Sequence, residues 1–436
     1  MSGIAERGRI DIVVDMKSDS KLSRRRFLKL AAVATATLCS KETRSSEQVP
    51  FSYDILIRAG DVIDPSQALH GIRDIVVHDG RIVRVEPEIA DVSARQVIDA
   101  KGKLVIPGLI DMHGHIGLKG ESLGLPVDDL MPFTAVTTCV SAGDKGYPDF
   151  ESFRHGILGK MQTRTFAFLN ISRLGLTQWP APELLDINDA SVDKAAETVS
   201  AHSDILIGLK VREGRQIVGK NGLEPLRRAI KAAEKVGRGS RVMCHIGKAP
   251  GDLSDLLDLL RPGDILTHVY SSSGNNTVQN GKVLPAALAA KARGVIIDVG
   301  HGKGSFDYTI AEAAIAQGLL PDTLSSDLHV PSTKSPGKPY LPWVMSKFLN
   351  LGFGLEEVVA MTTINPARII GRIPNLGTLK VSAPADVTIL ESVEQPCTFW
   401  DTKNHSRTGK RFLRPVVVIR DGRIVARSSG MTIPYP

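Results

Sequence analysis

The sequence predicts an α/β protein, a (β/α)8 TIM barrel with a small discontinuous β-sandwich domain formed by both chain ends. Strand-like runs alternate with helical stretches through the middle of the chain, which favours a parallel sheet. Eight such runs occur within about 260 residues, the number and spacing of a (β/α)8 barrel. Hairpin signals at Asp79-Gly80 and Asp421-Gly422 place short antiparallel strands near both ends of the chain.

The same patterns divide the chain into domains. Residues 1–46 are predicted to form a targeting signal and linker, and residues 51–107 the first part of the β-sandwich. Residues 108–371 are predicted to form the barrel, and residues 372–436 the second part of the sandwich.

Short apolar runs rich in β-branched residues predict the strands in order. The first strands are Asp54–Arg58, Asp74–His78 and Arg81–Val85, with a turn at Ala59–Asp61. The barrel strands are predicted to end near Met112, Cys139, Asn170, Lys210, His245, His268, Val299 and Asp327. Helices are predicted at Glu224–Val236, ended by Gly237, and at Leu284–Ala292. The last strands are Ala385–Leu390, Pro415–Arg420 and Arg423–Arg427.

The composition is that of a globular protein with more than one domain. The chain has 436 residues, of which 42% are hydrophobic and 23% are charged. A net charge of +7 would be compatible with an anionic partner. The basic residues are scattered, however, and 5% aromatic residues are too few for a surface on which bases stack. Nucleic-acid binding is therefore not expected.

A basic and then apolar segment near the N-terminus predicts export. The paired arginines Arg24 and Arg25 precede the apolar stretch Leu30–Leu38, which is too short to span a bilayer as a helix. The segment resembles a twin-arginine signal, so the expected partner is the twin-arginine export machinery and the expected location is the periplasm or another exported site. Met16 is the expected translation start, and a basic disordered tail is the alternative interpretation.

The most informative local pattern is His113-Gly-His115 at the end of an apolar run. Residues two apart in a strand project to the same face, so the two imidazoles can hold one metal ion. Gly114 between them has no side chain to obstruct the approach. Two unrelated loop histidines would be the alternative, but suitable partners recur downstream.

Those partners are polar residues at the ends of later predicted strands, where barrel enzymes carry their chemistry. They are Lys210, His245, His268 and Asp327. Four imidazoles and a carboxylate suit two divalent metal ions, with zinc expected. Burial among cations favours the neutral amine of Lys210. Carbon dioxide can convert this amine to a carbamate, and the carbamate can bridge two metal ions that share a hydroxide. A solvated Lys210 and hydrogen-bonded core histidines are the alternatives. The other histidines lack such a constellation and are interpreted as structural or surface residues: His70, His78, His155, His202, His329 and His405.

Residues 53–436 resemble the amidohydrolase superfamily of metal-dependent hydrolases. The resemblance depends on the segments Val105–His115, Thr362–Ala367 and Gly377–Asp386. Shorter segments are similar to the amidohydrolase/deacetylase subgroup, which is often labelled dihydroorotase-like: Asn170–Ser172, Gly208–Arg212 and Asp298–Gly302.

Within the superfamily, the chain is most similar to the lysine-bridged binuclear type. This resemblance implies that His113, His115 and Asp327 hold the more buried ion, whereas His245 and His268 hold the other. It also implies that carbamylated Lys210 touches both ions.

The resemblance implies hydrolysis of an amide or ester carbonyl in a small molecule, with deacetylation preferred. A metal-bridged hydroxide would attack the carbonyl, and Asp327 would carry its proton to the leaving group. Arg212, His301 and Asn170 are predicted substrate contacts, with Arg212 placed to meet a carboxylate if the substrate carries one. A surface ion pair is the alternative for Arg212, and a loop-stabilising role is the alternative for His301.

Two other functions stay open. One is a cyclic-amide hydrolase of dihydroorotase-like type, or a dipeptidase. Dihydroorotase itself carries an arginine two positions beyond its paired histidines, whereas Ile116 and Gly117 follow His115 here. The other is a non-catalytic metal-binding relative, which the presence of all six predicted ligands disfavours. The sequence leaves the oligomeric state open, including a homo-oligomer.

Overall fold

The computed structural model describes residues 52–237 and 239–428. The predicted export signal and the expected start at Met16 lie outside the described residues and stay predictions. Among the helices that are described, none is both long and apolar enough to cross a membrane.

The N-terminal part of the described chain consists of five strands. They are β1 (Tyr53–Asp64), β2 (Leu69–His78), β3 (Arg81–Glu86), β4 (Ala94–Asp99) and β5 (Leu104–Pro107). The turn predicted at Ala59–Asp61 is wrong, because β1 continues through it with a bulge between Ile57 and Gly60. Ala59 has a φ of 53°, and its N–H donates to the Asp74 carboxylate at 2.7 Å. A buried side chain therefore satisfies the backbone at a bulge that local sequence predicts as a turn.

The middle of the chain forms a parallel sheet. Its strands are β6 (Leu109–Gly114), β7 (Val136–Ala142), β8 (Arg164–Asn170), β9 (Leu206–Glu213), β10 (Arg241–Ile246), β11 (Ile265–Thr267) and β14 (Ile296–Asp298). Between β11 and β14 in the chain, β12 (Val278–Gln279) and β13 (Lys282–Val283) form a separate short hairpin. The sheet order is β14-β11-β10-β9-β8-β7-β6. The first seven predicted barrel strands are thereby confirmed as strands, and their carboxyl ends meet at one edge of the sheet.

The sheet curls until both of its outer strands contact the same segment. Asp298 of β14 bridges to Thr323, and Gly114 of β6 bridges to Leu328. The Asp327 N–H also donates to the His113 carbonyl at 2.6 Å. The predicted eighth strand is wrong as a regular strand, because only isolated bridges occur in this segment.

Helices connect and cover the parallel strands. Those among the described residues are Val127–Thr134, Phe150–Gly156, Val192–Ala201, Arg215–Val218, Glu224–Val236, Leu253–Leu259, Pro285–Ala292, Tyr308–Ala316, Leu341–Asn350, Leu355–Thr362 and Ile364–Ile369. The prediction of Glu224–Val236 is confirmed. Gly237 ends this helix with a φ of 63°, a conformation that costs glycine little.

The C-terminal strands return to the N-terminal ones. They are β15 (Val387–Trp400), β16 (Ser406–Arg420) and β17 (Arg423–Arg427), and β15 pairs with β5. One eight-stranded sheet results, in the order β17-β16-β15-β5-β1-β2-β3, with β4 also paired to β1. Its buried face packs Ile57 and Val105 against Ile389 and Val417 from the other chain end. The described residues thus show a shared sheet, and its predicted form as a sandwich domain stays a prediction.

Candidate metal centre

The six predicted ligands lie at the carboxyl edge of the parallel sheet. His113 and His115 are at the end of β6, Lys210 is in β9, and His245 is in β10. His268 directly follows β11, and Asp327 lies in the segment that bridges β6 and β14. The alternation of side chains along β6, β9 and β10 turns His113, His115, Lys210 and His245 toward the interior of the curled sheet.

Three of the six form a compact group. The candidate ligand atoms of His113, His115 and Asp327 all lie within 4.8 Å of one another. Asp327 Oδ1 is 3.4 Å from His113 Nε2 and 3.2 Å from His115 Nε2. Lys210 joins this group, because its Nζ is 3.3 Å from His113 Nε2.

His245 and His268 lie beside the first group. Their ring centroids are 4.4 Å apart, and the His268 ring is 5.0 Å from the His113 ring. The Nε2 atom of His268 is buried and has no hydrogen-bond partner among the described residues. An unpartnered buried acceptor is costly unless a ligand satisfies it, so this atom fits a metal ion.

The hydrogen bonds behind the rings fix which nitrogen is free. His115 Nδ1 lies 2.6 Å from the Asp144 carboxylate, and His268 Nδ1 lies 2.7 Å from the Gly300 carbonyl. Both partners only accept, so Nδ1 carries a hydrogen and Nε2 is the nitrogen left to face a metal ion. His113 Nδ1 lies 2.9 Å from the Thr267 hydroxyl. This is the arrangement that holds neutral imidazoles as metal ligands.

Electrostatics favour the same protonation states. Burial lowers the pKa of His268 to about 4 and that of His113 well below its usual value. Burial also lowers the pKa of Lys210 to about 8, although Asp327 and Asp298 oppose the shift. For Asp327, burial raises the pKa, but His113 and His115 outweigh it and hold the pKa well below the ordinary value. His113, His245 and His268 therefore offer neutral imidazoles, beside the Asp327 carboxylate and an amine that loses its proton readily.

His115 behaves differently from the other ligands. Burial lowers its pKa, but the adjacent Asp144 and Asp327 carboxylates outweigh burial and raise the pKa to about 9. Asp144 is itself fixed by the Ile116 N–H at 2.9 Å and by the Ser141 hydroxyl at 2.6 Å. Asp144 was not predicted from the sequence, although its position just after β7 could have indicated a residue at the carboxyl edge of the sheet.

The backbone is strained at two of the predicted ligands. His268 has a φ of 68° and Asp327 a φ of 46°, values that non-glycine residues rarely adopt. Such strain persists where surrounding contacts impose it, and it is frequent at functional sites. Gly302 allows the close approach, because a Cβ there would collide with the Asp327 carboxylate.

A cavity of about 370 Å³ is lined by five of the six predicted ligands, namely His113, His115, Lys210, His245 and Asp327. Its apolar wall consists of Leu123, Leu176, Trp179 and Pro331, and Lys303 and His329 contribute polar groups. His329 was interpreted from sequence as structural, yet it lines the cavity with a buried Nδ1 that has no partner among the described residues. Its position two residues beyond Asp327 was the signal that could have identified it. A larger groove of about 990 Å³ on the eight-stranded sheet shares no residue with this cavity.

The three predicted substrate contacts have protein partners. Arg212 lines the cavity, but Glu183 binds its guanidinium at 2.7 and 2.5 Å. The Asn170 amide donates to the Gly143 carbonyl at 3.1 Å and accepts from the Ser172 N–H at 2.9 Å. His301 is fully buried.

Lys347 holds the His301 ring, with its Nζ 2.6 Å from His301 Nε2. Neither Asn170 nor His301 is among the residues that line the described cavity. Their roles as substrate contacts, like that of Arg212, stay predictions.

Comparison with known proteins identifies the class. Residues 292–426 match the model of the amidohydrolase family. The chain is 34% identical over 354 residues to deacetylase Atu3266 of Agrobacterium fabrum, an alignment that covers 80% of this chain and 86% of that protein. A crystal structure of a dihydroorotase superposes with a TM-score of 0.79 at 31% identity, covering 86% of this chain and 98% of the other. An adenine deaminase structure gives 0.78 at 27% identity, covering 85% and 99%.

The chain therefore belongs to the amidohydrolase superfamily, whose members generally bind metal. Within that superfamily it falls in the deacetylase and dihydroorotase-like subgroup. The sequence resemblance is confirmed at this level.

Proposed function

We propose that the protein is a binuclear metal-dependent hydrolase that cleaves an amide or ester carbonyl, with removal of an acetyl group preferred. The observation that carries the proposal is the convergence of histidine Nε2 atoms on Asp327 and Lys210 inside one cavity. The deacetylase relative supports the preference for an acyl amide or ester.

The donor set fits two divalent ions, with zinc the expected metal. His113, His115 and Asp327 would hold one ion, His245 and His268 the other, and Lys210 would touch both as a carbamate. Such ions, when bound, acidify a water molecule and polarise the substrate carbonyl. Because burial lowers the pKa of Lys210 to about 8, its neutral amine is accessible for reaction with carbon dioxide near neutral pH.

Asp327 is the proposed proton carrier. Its depressed pKa keeps the carboxylate ionised and able to accept a proton from the attacking water. Asp327 also faces the cavity, so it can return that proton to the leaving nitrogen or oxygen. The apolar wall around Trp179 would exclude bulk water and hold the substrate against the polar groups.

We also propose that the segment between Thr323 and Leu328, although it is not a regular strand, closes the curled sheet into a barrel at the position of an eighth strand. The bridges of this segment to β14 and β6 support this closure. Closure would place Asp327 in the same interior as His245 of β10 and His268, which follows β11, as a shared centre requires.

A cyclic-amide hydrolase is the second candidate, since a dihydroorotase structure is 31% identical to this chain. The position two beyond His115 argues against dihydroorotate. Gly117 packs against Gly124, and a Cβ at Gly117 would lie 2.9 Å from the Gly124 Cα. An arginine there would require the backbone to move, so a substrate carboxylate must be bound elsewhere or be lacking.

A hydrolysis screen tests the proposed function. Purified protein, with its metal content measured, is assayed against N-acyl amino acids, acylated hydroxy acids, cyclic amides and dipeptides. Turnover of an acyl amide or ester that disappears on chelation and returns with zinc is the expected result. A protein with two ions per chain and no turnover in any class would favour the non-catalytic relative.

We further propose export through the twin-arginine pathway, on the evidence of the Arg24-Arg25 pair. Cell fractionation of the native host compares wild type with a variant in which both arginines are replaced by lysine. Wild-type protein in the periplasm and variant protein retained in the cytoplasm are expected. Equal distribution of the two would contradict the proposal.

A further inference from the structure

A buried carboxylate lies behind two of the predicted ligands. Asp298, at the end of β14, is fully buried. Its Oδ2 atom accepts the hydroxyls of Thr267 and Ser325, each at 2.7 Å. Its Oδ1 atom accepts the hydroxyl of Thr323 at 2.6 Å. All three hydroxyl hydrogens are thereby directed at one side chain.

The first of these hydroxyls leads to His113. The oxygen of Thr267 lies 2.9 Å from His113 Nδ1. Because the hydrogen of Thr267 is donated to Asp298, its oxygen can only accept from the ring. His113 must therefore carry its hydrogen on Nδ1, and its Nε2 lone pair faces Lys210 and Asp327.

The second hydroxyl leads to His268. Ser325 Oγ accepts the Gly300 N–H at 3.0 Å, and the Gly300 carbonyl accepts from His268 Nδ1 at 2.7 Å. Gly300 has a φ of 49° and packs so closely that a Cβ would collide with Thr267. Ser325 thus fixes the residue whose carbonyl orients the His268 ring.

The third hydroxyl supplies an internal comparison. Thr323 donates to the same carboxylate, in the segment that bridges β14. Among the described residues, its hydroxyl makes no hydrogen bond to a predicted ligand. Loss of the Thr323 hydroxyl should therefore cost stability without changing the orientation of a histidine.

We propose that Asp298 is a positioning residue that orients His113 through Thr267 and His268 through Ser325. The inference depends on the proposed function, in which these two histidines belong to different ions. One carboxylate would then hold ligands of both ions in the tautomer that each ion needs. Because Oδ2 accepts two hydrogen bonds, an amide nitrogen at this position could not replace it.

The test compares isosteric variants by zinc affinity. Metal-free wild type, Thr267→Val, Thr267→Ser, Ser325→Ala and Thr323→Val are titrated with zinc against a chromophoric chelator. Loss of a hydrogen bond behind a ligand should weaken affinity by roughly 10- to 100-fold in Thr267→Val and Ser325→Ala. Thr267→Ser should restore near-wild-type affinity, and Thr323→Val should stay close to wild type.

Thermal unfolding of the same metal-free proteins separates positioning from stability. Thr267→Val and Thr323→Val each remove one hydroxyl from Asp298, so similar losses of thermal stability are expected. If wild type binds zinc and these two variants have equal zinc affinities, the positioning role is overturned and the proposed function is not. A wild type with no zinc affinity would instead overturn the proposed function.

Discussion

Lys210 Nζ lies 3.3 Å from His113 Nε2, and both side chains are almost wholly buried. An ammonium cannot donate to an imidazole nitrogen that also binds a metal ion. The contact is therefore consistent with a site in which Lys210 is neutral or carbamylated and His113 uses Nε2 as a ligand. The pKa of Lys210, lowered by burial to about 8, makes the neutral form accessible.

Replacing Lys210 by methionine should abolish the binuclear centre. Methionine has a similar length but no amine, so it cannot form a carbamate or bridge two ions. Metal content should fall below two ions per chain, and kcat/KM should fall roughly 100-fold or more, equivalent to ~2.7 kcal/mol. Inductively coupled plasma mass spectrometry and kinetics measure both effects. Lys160→Met, at an exposed lysine, is the control, and equal metal content in the two variants would contradict the bridging role.

Replacing Asp327 by asparagine should separate catalysis from metal binding. The amide keeps an oxygen ligand but cannot accept a proton, so kcat should fall by about 10²- to 10⁴-fold while much of the metal stays bound. Steady-state kinetics with metal analysis provide the comparison, and Asp255→Asn at an exposed position is the control. Near-normal turnover of Asp327→Asn would rule out the proton-carrier role.

Glu213 should make stability depend on pH. Its carboxyl oxygens are buried without a hydrogen-bond partner among the described residues. Burial raises its pKa from 4.5 to about 8, and the Leu226 backbone offsets this rise only in part. Below pH 4.5 both folded and unfolded chains are protonated. Between pH 4.5 and 8 the unfolded chain releases the proton that the folded protein keeps, so the free energy of unfolding falls as pH rises.

The Glu213→Gln variant lacks this titration. Its free energy of unfolding relative to wild type should increase with pH between about 5 and 8, with a slope of at most ~1.4 kcal/mol per pH unit, and level off above. Urea unfolding at several pH values measures the difference. Glu234→Gln, at an exposed glutamate, should give a curve parallel to wild type. A parallel curve for Glu213→Gln as well would show that Glu213 titrates normally.

The pair of Arg212 and Glu183 should act as a unit in stability. Their side chains are 13% and 3% exposed, so removing one leaves the other buried without its partner. Arg212→Met should cost about 3–5 kcal/mol, and the double variant with Glu183→Met should recover much of that loss. Urea unfolding of the double-mutant cycle gives the coupling energy. Lys235→Met, which breaks the exposed pair with Asp193, should cost less than about 1 kcal/mol. Additive single effects for Arg212 and Glu183 would contradict the coupling.

The local sequence was sufficient to identify the six candidate ligands. The two-residue period of a strand places His113 and His115 on one face, and parallel strands align their carboxyl ends. Neither rule requires knowledge of the tertiary structure. The helix Glu224–Val236 was predictable for the same reason, because Gly237 marks its end within the local sequence.

The side chains behind the ligands could not be predicted in this way. Asp144 contacts His115 across 29 positions, and Thr267 contacts His113 across 154. These partners are defined by packing, not by spacing. The segment around Ser325 could not be predicted for the same reason. It is held by side-chain hydrogen bonds to Asp298, and it lacks the continuous backbone ladder of a regular strand. The bulge at Ala59 likewise depends on Asp74 in the neighbouring strand.

Anomalous X-ray diffraction at the zinc edge, from crystals of zinc-loaded protein, tests the central claim most directly. Two anomalous peaks are expected within the cavity: one beside His113, His115 and Asp327, and one beside His245 and His268. Electron density extending from Lys210 Nζ to both peaks is expected as well. A single peak, peaks remote from these side chains, or an unmodified Lys210 turned away from them would contradict the binuclear centre.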